Sequence, residues 1–339
     1  MFVIRPIEQK DYPELLKIAH ESGHGFTSLP VNEDLIANKI KRAEASFATP
    51  EPTEPSEQSY LFVMENCETG AIMGTSGIES AVGLDDAFYH YHLSKVVHNS
   101  RELNIYNTAE ILTLCNDYTG ASELCTLFLR EGYRKGITGR VLSKFRFLFL
   151  AQHRKRFSNT VIAEMRGVSD EQGRSPFWEW LETHFFSLDF PTADYLTGIG
   201  KKVFIAELMP KYPIYVNLLS DEAQQVINEV HPNTVPALKL LEAEGFSRRG
   251  YVDIFDAGPT VESTKDNIKS VKQSQRCRVI IDEVQADNRY IICNSQVEGF
   301  RATQASLLLR ETAQQVVISQ ETANALQVEE NDWVRIIAN

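Results

Sequence analysis

Apolar and polar residues alternate through FVIRPI (2–7), and this period of two predicts a β-strand at the start of the chain. The pattern then changes to apolar positions three and four apart, which predicts a helix over 11–23 with Asp11 as its N-cap and Gly23 as its end. Helical spacing of apolar residues also predicts a helix over 32–47. The prolines and glutamates of 48–58 indicate an exposed loop, and strands 59–66 and 71–80 are predicted to form a hairpin across the turn CETG.

The segment 81–119 is less regular, and we interpret it as an insertion. The runs 88–100 and 109–117 predict two strands joined by a long loop. His90 and His92 are two residues apart, which would put both side chains on one face of a strand. They form a conceivable metal pair, but no third ligand is evident nearby in the sequence, and we expect no metal site.

Strands and helices alternate from residue 122 onward. The strongly apolar run SELCTLFL (122–129) predicts a buried strand, and a glycine-bearing turn connects it to a helix over 140–156. The elements predicted next are a strand over 159–167, a helix over 175–186 with Ser175 as its cap and Pro176 at its first position, a strand or helical turn at 202–210, a helix over 219–230, a helix that begins after His231 and ends at Gly245, and a strand over 250–259.

The character of the chain changes after Gly258. A polar stretch is followed by short strand candidates at 277–284, 289–295, 300–310 and 315–322, and then by a short helix, a turn and a last strand. We therefore predict a main α+β domain over 1–259, with the insertion around 81–119, and a small β-rich C-terminal domain or extension over 260–339.

Composition narrows the class of protein. The chain has 339 residues, and 43% hydrophobic content is enough for one large core or two domains. A formal net charge of −12 disfavours binding to nucleic acid or to an anionic membrane, because both need a basic face. No window approaches ~18 consecutive apolar residues, so we expect no membrane-spanning helix. We also expect no signal peptide. The five cysteines are scattered without a CxxC pair, so we expect a cytoplasmic protein without a zinc site or a disulfide framework.

Positive charge is concentrated in the segment 130–156, which has many Lys and Arg residues and a single Glu. Within it, the turn RKGITG (134–139) leads from a strand into a helix, where unpaired N–H groups and the helix dipole favour an anion. Arg134, Lys135 and Arg140 add charge to this turn. Neither GxxxxGK[ST] nor GxGxxG is present, so a pyrophosphate held by backbone amides fits better than the ligands of those motifs. The alternative is a plain turn before a solvated basic helix.

Two segments together resemble the acyl-CoA-binding motifs of the GCN5-related N-acetyltransferase superfamily, namely YRKGITG (133–139) and ALKLLEAEGF (237–246). In that superfamily the glycine turn holds the CoA pyrophosphate, and the later helix ends in Gly-Phe before the final strands. The order of predicted elements is similar as well. The resemblance implies an α+β fold with a mixed, mostly antiparallel sheet flanked by helices, here with a small C-terminal β-rich region.

Six separated motifs look more specifically like the arginine N-succinyltransferase family, in that family's order: HGFTSLP, SELCTLFL, AEMRG, SPFWEWL, FIAELMPKYPIY and EVHPNTVPALKLLEAEGF. The resemblance implies transfer of the succinyl group of succinyl-CoA to the α-amino group of L-arginine. It implies succinyl-CoA as a co-substrate and no permanently bound cofactor. The implied partners are small molecules, and we expect a homo-oligomer or a pair with a homologous subunit.

The resemblance also implies two site residues, because the family's catalytic proton donor matches His231 and a succinyl-CoA contact matches Leu127. The CoA sulfur leaves as a thiolate, which a general acid helps, and histidine is readily tuned for that task near neutral pH. Many superfamily members use a tyrosine at the position of Leu241, which cannot donate a proton. The role of Leu127 would lie in its backbone N–H, facing the thioester oxygen. Alternatively, His231 only precedes Pro232 at the start of a helix.

The glycine turn supplies the remaining predicted CoA-binding residues, Arg134, Lys135, Gly136 and Gly139. This turn departs from the superfamily pattern, because Ile137 stands where the first glycine normally falls. We expect Gly136 to make the turn instead, since a positive φ at position 137 would strain an isoleucine.

Substrate recognition needs two more kinds of residue. The succinyl carboxylate needs a cation, for which Arg166 and Lys201–Lys202 are candidates, and the guanidinium of arginine needs a carboxylate, for which Glu164 and Asp170 are candidates. Rival acids or nucleophiles are Tyr133, Tyr212, Tyr215 and Cys125. A covalent succinyl-Cys125 intermediate would need an activating base that the sequence does not place.

Two other functions remain open from the sequence. The first is an N-acyltransferase of the same fold with another acyl-CoA or another acceptor, ornithine being the nearest. The second is a catalytically silent subunit that binds CoA or arginine and serves a partner chain.

Overall fold

A computed structural model describes residues 1–23, 26–198 and 203–339. The strands are β1 (Phe2–Pro6), β2 (Ser59–Asn66), β3 (Ile72–Glu79), β4 (His90–Ser100), β5 (Ile105–Cys115), β6 (Ser122–Leu129), β7 (Thr160–Glu164), β8 (Ile214–Tyr215), β9 (Ser247–Val252), β10 (Pro259–Thr264), β11 (Gln275–Ile281), β12 (Tyr290–Asn294), β13 (Ala302–Ala305), β14 (Leu308–Arg310), β15 (Gln315–Ile318) and β16 (Trp333–Ala338). The helices are α1 (Tyr12–Ser22), α2 (Glu33–Ala48), α3 (Thr138–Gln152), α4 (Pro176–Leu181), α5 (Phe190–Gly198), α6 (Val203–Leu208), α7 (Asp221–Val226), α8 (Val235–Ala243), α9 (Lys269–Gln273) and α10 (Gln320–Leu326).

One sheet contains all of these strands, in the order β14-β15-β11-β16-β12-β13-β1-β2-β3-β6-β7-β10-β9-β4-β5-β8. Neighbouring strands run antiparallel, except that β6 is parallel to β7 and β11 is parallel to β15. Helices lie against this sheet, and the predicted α+β class with a mixed, mostly antiparallel sheet is confirmed.

Helix α3 is the central helix of the main core. From Val141 to Ala151 its residues are buried, apart from Lys144, because the helix is apolar on nearly every face. Phe149 packs edge-on against Phe62 and Phe300, with ring centroids 5.1 and 4.9 Å apart. Buried aromatic pairs of this kind contribute strongly to a core. The glycine turn that precedes α3 is therefore attached to a rigid element.

The C-terminal strands enclose an apolar core of their own, which includes Val279, Ile292, Val316 and Ile336. They join the rest of the sheet where β13 pairs with β1. Strand β10, although it begins at residue 259 in the chain, lies between β7 and β9 and is separated from the other C-terminal strands by β1, β2, β3, β6 and β7. The predicted division of the chain between residues 259 and 260 stays a prediction.

The insertion is a hairpin rather than two strands with a long loop, so the predicted loop is wrong. Strands β4 and β5 pair along their whole length, from His90 opposite Cys115 to Ser100 opposite Ile105, and only residues 101–104 connect them. The sequence IYNT at 105–108 has no clear period. Cross-strand pairing with β4 decides its conformation, which is why local pattern missed it.

Asp11 precedes α1 as predicted, but its side chain does not cap that helix. Its two carboxylate oxygens accept hydrogen bonds from Arg5 at 2.7 and 2.9 Å, and both side chains are buried. The bidentate ion pair with a buried arginine stabilises the fold more than one capping hydrogen bond at the helix end would. Asp11 therefore marks the start of the helix correctly, but it is there to pair with Arg5 and not to cap the helix.

Other boundaries also differ from the sequence pattern. For example, the helix predicted over 219–230 is Asp221–Val226, and the strand predicted over 300–310 divides into β13 and β14. The helix predicted over 175–186 is α4 to Leu181 and a wider π-turn to Phe186, and the strand predicted over 250–259 divides into β9, a turn at 253–258 and the first residue of β10. Of the two alternatives at 202–210, the helical one holds for 203–208. In the part of the chain that the structure describes, no helix has the length and apolarity needed to cross a bilayer.

Candidate active site

A cavity of about 1470 Å³ opens where β6 and β7 separate. The two strands pair only at Ser122–Val161 and Glu123–Ile162, and they diverge beyond these two positions. The cavity is lined by residues 123–129 of β6, the connection 130–136, one side of α3, residues 163–166 and the region where α8 begins. Two parallel strands that separate in this way leave a groove that an extended ligand can enter.

A bulge interrupts β6 inside this groove. Cys125 stands opposite Gly77 and Phe128 opposite Thr75, so Thr126 and Leu127 together face one residue of β3. Thr126 has a φ of 51°, which lies in the left-handed region. A bulge takes its residues out of the regular hydrogen-bond ladder. Leu127, which lines the cavity, is therefore at the position on β6 where a backbone N–H can turn toward a ligand.

The cavity has a basic end at the start of α3. Arg134, Lys135 and Arg140 are exposed and line it, whereas Arg130 is neutralised by ion pairs with glutamates of α1. Gly136 has a φ of 56° and makes the turn, as expected, while Ile137 has an unstrained φ of −107°. The first N–H groups of α3 have no partner within the helix. This end of the cavity is suited to an anion.

Replacing Gly136 with alanine tests the turn. A Cβ in the left-handed region costs roughly 1–2 kcal/mol, so we expect the Michaelis constant for the acyl-CoA to rise several-fold while folding is preserved. Initial rates at varied acyl-CoA concentration measure this effect. Gly132→Ala is the matched control, because Gly132 has no positive φ and a Cβ there meets nothing within 4 Å. Equal effects of the two substitutions would contradict the prediction.

The opposite end of the cavity is acidic. Glu123, Glu164, Asp253 and Asp256 line it. Burial, together with the carboxylates of Glu164 and Glu79, raises the pKa of Glu123 to about 8. Among the described residues no cation lies within 4.0 Å of the Glu123 carboxylate. A carboxylate with this pKa is half ionised near pH 8 and can accept a proton from an amine.

The other members of the acidic end have different surroundings. Asp256 accepts hydrogen bonds from the backbone of Gly167 and Gly258, so it holds a turn in place. The ring of His90 is fully buried, with Nε2 2.9 Å from Oε1 of Glu164. Neither ring nitrogen is aligned for a hydrogen bond to any described residue, and burial lowers the pKa of His90 to about 4. His90 is therefore neutral and adds no positive charge beside Glu164.

His231 lies next to the cavity, between the end of β7 and the start of α8. Its backbone N–H donates to the backbone carbonyl of Arg166 at 2.9 Å, and its ring Nδ1 accepts a hydrogen bond from the backbone N–H of Asn233 at 3.2 Å. Arg166 and the residues Pro232–Thr234 line the cavity, although the cavity lining does not include His231 itself. Burial and the charge of Arg166 lower the pKa of His231. Because Nδ1 accepts a hydrogen bond, the neutral ring carries its proton on Nε2.

The other sequence candidates divide into residues inside and outside the cavity. Arg166, Glu164, Tyr133 and Cys125 line it. Burial raises the pKa of Cys125 to about 12, which suits a packed thiol and not a nucleophile. Asp170 pairs with Arg174 in an exposed loop, and Tyr212 and Tyr215 are not in the cavity lining. Lys201–Lys202 lie outside the described residues.

Metal ligands are not clustered here. His92 pairs with Tyr251 of β9 and His90 pairs with Cys115 of β5. In residues 1–23, 26–198 and 203–339 no three His, Cys, Asp or Glu side chains are grouped to hold a metal ion.

Glu123 and Arg146 are among the charged residues of the cavity that were not predicted. Each stands alone inside an apolar run, SELCTLFL and FRFLFL. An isolated charge at a buried position is the signal that could have identified them, because it is expensive unless it is paired or functional.

Parallel strands that separate beside a glycine turn, with exposed cations at the start of the next helix, define an acyl-CoA N-acyltransferase with the GCN5-related fold. The chain is an acyltransferase of this class. The sequence matches the family described as "Arginine N-succinyltransferase beta subunit" over residues 2–270, and the C-terminal domain of the same description over 275–338. The chain therefore belongs to the arginine N-succinyltransferase family.

Individual relatives are similar over the full length. "Arginine N-succinyltransferase" of Yersinia enterocolitica is 46% identical over 345 residues, covering 100% of this chain and 98% of its own. The protein of the same name from Salmonella arizonae is 47% identical, covering 99% of this chain and 97% of its own. The structure of arginine/ornithine succinyltransferase subunit AI from Pseudomonas aeruginosa superposes with a TM-score of 0.91 at 37% identity, covering 100% of this chain and 98% of that one.

Proposed function

We propose that this chain transfers the succinyl group of succinyl-CoA to the α-amino group of L-arginine. The observation that carries the proposal is the charge distribution of the cavity, in a chain of this family. Cations surround the glycine turn at one end, and carboxylates line the other. CoA is a phosphate-rich anion, whereas arginine has a cationic side chain, so each substrate is attracted to a different end.

The CoA pyrophosphate binds the N–H groups at the start of α3, between Gly136 and Gly139, with Arg134 and Lys135 beside it. From there the pantetheine arm follows β6 toward the bulge. The backbone N–H of Leu127 donates to the thioester oxygen, which becomes negatively charged when the amine attacks. Succinyl-CoA is thus held as a co-substrate by backbone donors and surface cations, and it leaves as CoA.

Glu123 acts as the general base. Arginine binds with its α-amino group protonated, and this group must lose a proton to become a nucleophile. Glu123 has a pKa raised to about 8, faces the cavity and lies on the same strand as Leu127. The two residues are roughly 13 Å apart along an extended strand, so the proton reaches Glu123 through a chain of several water molecules in the cavity.

His231, which the family resemblance implies as the proton donor, acts on the departing sulfur. Its Nδ1 is occupied by the N–H of Asn233, which leaves the Nε2 hydrogen for the thiolate. Because a neutral imidazole does not give up its Nε2 proton to a thiolate, the ring stabilises the sulfur by a hydrogen bond. The sulfur takes its proton from the attacking nitrogen as the amide forms. The contact with Asn233 gives His231 a second role as the residue that fixes the first turn before α8.

The acceptor binds at the acidic end. Its guanidinium pairs with Glu164 and Asp253, and its α-carboxylate is directed toward Arg166, which lines the cavity beside His231. Asp170 does not serve this role, because it is paired with Arg174 away from the cavity.

Ornithine is a second candidate acceptor, because the similar protein from Pseudomonas aeruginosa is named an arginine/ornithine succinyltransferase. That protein is also named as a subunit, and we propose that this chain likewise assembles with itself or with a homologous chain. We place the reaction in the cytoplasm.

Release of free thiol from succinyl-CoA by the purified chain tests the proposal. With L-arginine we expect turnover and a product with the mass of N2-succinylarginine. L-Ornithine in place of arginine measures the acceptor preference, and a reaction without acceptor measures hydrolysis. A folded chain that releases no thiol with either amino acid would contradict the proposal and favour a silent subunit.

A further inference from the structure

Arg146 is a buried arginine without a counter-ion among the described residues. It lies on α3 with 2% of its surface exposed, yet it lines the cavity. Its Nε and Nη2 donate to the carbonyl and hydroxyl of Ser143, both at 3.0 Å. In the described part of the chain no carboxylate approaches its guanidinium within 4.0 Å, and Nη1 has no acceptor.

Other buried arginines of this chain are satisfied differently. Arg5 is paired with Asp11 and Glu65. Arg156 donates to the hydroxyl of Tyr60 and the carbonyl of Thr49, and it lies outside the cavity. An unpaired buried charge is strongly destabilising, and burial lowers the pKa of Arg146 to about 10. A chain that retains such a charge in its cavity wall has a use for it.

The position of Arg146 along the cavity identifies the group it would bind. Helix α3 returns alongside β6 after the glycine turn, and Gly139, Leu142 and Arg146 form the stripe of α3 that lines the cavity. Arg146 is about 10 Å along the helix from Gly139. Gly139 lies beside the end of β6, because a Cβ there would be 3.7 Å from Cδ2 of Leu129. Since α3 runs back along β6, about 10 Å of helix corresponds to about three residues of the strand, which leads from Leu129 to Thr126. Arg146 is therefore level with the segment of β6 just beyond the proposed thioester position.

The length of the acyl group matches this position. Three carbon–carbon bonds of about 1.5 Å each separate the thioester carbon of a succinyl group from its free carboxylate carbon, a span of roughly 4 Å. Leu127 and Cys125 are about 7 Å apart along a strand. A carboxylate that extends from a thioester at Leu127 toward Cys125 thus comes within reach of a guanidinium at that level.

We propose that Arg146 binds the free carboxylate of the acyl group and so makes the enzyme specific for dicarboxylic acyl-CoA donors. This inference rests on the proposed succinyl transfer. The carboxylate supplies the counter-ion and the acceptor that Nη1 lacks, through a charge-assisted hydrogen bond in a buried site. Ser143 holds the guanidinium in place before the donor arrives. Arg166, at the acceptor side of the cavity, is then not needed for the succinyl group.

The test compares succinyl-CoA with butyryl-CoA, which has the same four-carbon chain but a methyl group in place of the carboxylate. In Arg146→Met we expect the ratio of kcat/KM for succinyl-CoA over butyryl-CoA to fall about 100-fold, because a buried charged pair loses one partner. Arg146→Lys, which keeps the charge but not the planar fork, should give an intermediate ratio. Arg140→Met is the matched control, since Arg140 lies at the phosphate end and its loss should slow both donors equally.

A measurement on the wild type covers the case in which Arg146→Met does not fold. Succinyl-CoA that is methyl-esterified at its free carboxylate lacks the charge on the substrate instead of on the protein. We expect its kcat/KM with the wild type to be about 100-fold lower than that of succinyl-CoA. The inference is overturned if the ester is used equally well, or if a folded Arg146→Met variant keeps the donor ratio within threefold. No turnover of succinyl-CoA and arginine by the wild type would instead overturn the proposed function, and this inference with it.

Discussion

Replacement of Glu123 by glutamine is expected to lower kcat/KM for arginine about 1000-fold at pH 8, within the range that a general base contributes. Glutamine has nearly the same shape but cannot take a proton. The base is the carboxylate form, and because its pKa is raised to about 8, its population falls by up to tenfold for each pH unit below 8. The ratio of wild-type to variant rates should therefore shrink about 50-fold from pH 8 to pH 6, and change by no more than about twofold above pH 8. Initial rates of thiol release between pH 6 and 9 measure this ratio.

Glu79→Gln provides the control for Glu123→Gln. Glu79 is the neighbouring carboxylate on β3, is paired with Arg42 at 2.9 Å and is not in the cavity lining. Its replacement should change kcat/KM at pH 9 by no more than about threefold. Because the charge of Glu79 helps to raise the pKa of Glu123, the variant should also keep its rate to a lower pH than the wild type. A rate ratio for Glu123→Gln that is the same at pH 6 and pH 9 would argue against a base, since a loss of structure slows the reaction equally at every pH.

Replacement of His231 by alanine is expected to lower kcat about 100- to 1000-fold with little change in succinyl-CoA affinity. The imidazole contributes only when charge develops on the sulfur, so its loss affects the chemical step and not binding. The pH dependence of the rate should keep its rising limb toward pH 8, because Glu123 is still present in the variant. Single-turnover rates, together with CoA binding by calorimetry, separate the two effects.

His231→Asn distinguishes the hydrogen-bond donor to the sulfur from the helix-start residue. Asparagine accepts a backbone N–H at such a position as well as any residue does, so it replaces the contact of Nδ1 with Asn233. It has no imidazole hydrogen to offer the sulfur. We expect His231→Asn to be as slow as His231→Ala but more stable to heat. Recovery of the wild-type rate in His231→Asn would reduce His231 to a structural role.

The fold could be predicted from the sequence wherever one local period dominated. The alternation in residues 2–7 gives β1, and the continuous apolar run within 59–66 gives β2, which is buried on both faces. The period of three and four gives α1 and α2, because one face of each helix must be buried. The glycine turn before α3 was equally clear, since glycine adopts the positive φ of residue 136 without the strain that a side chain brings. Prediction failed at residues 105–108, where strand pairing and not local pattern sets the conformation.

Only part of the candidate site could be predicted from the sequence. Leu127, Arg134, Lys135, Gly136 and Gly139 come from one continuous segment with a recognisable motif, and the structure lines one cavity with them. Glu123 and Arg146 were missed because no spacing links them to that motif. Their environment depends on Glu164 from β7, on Glu79 from β3 and on the closeness of α3 to β6, which are contacts between distant parts of the chain.

The sequence by itself determined the class of this protein, because the glycine turn, the apolar strand before it and the family motifs are local patterns that short-range backbone rules dictate. Only the tertiary structure decided which charges face the cavity. It paired Asp170, Arg130 and Asp11 with partners nearby, and it left Glu123 and Arg146 without an ion-pair partner among the described residues, beside the separated strands. Whether a charged side chain is satisfied or available depends on what is within a few ångströms of it, and that is a property of the folded chain.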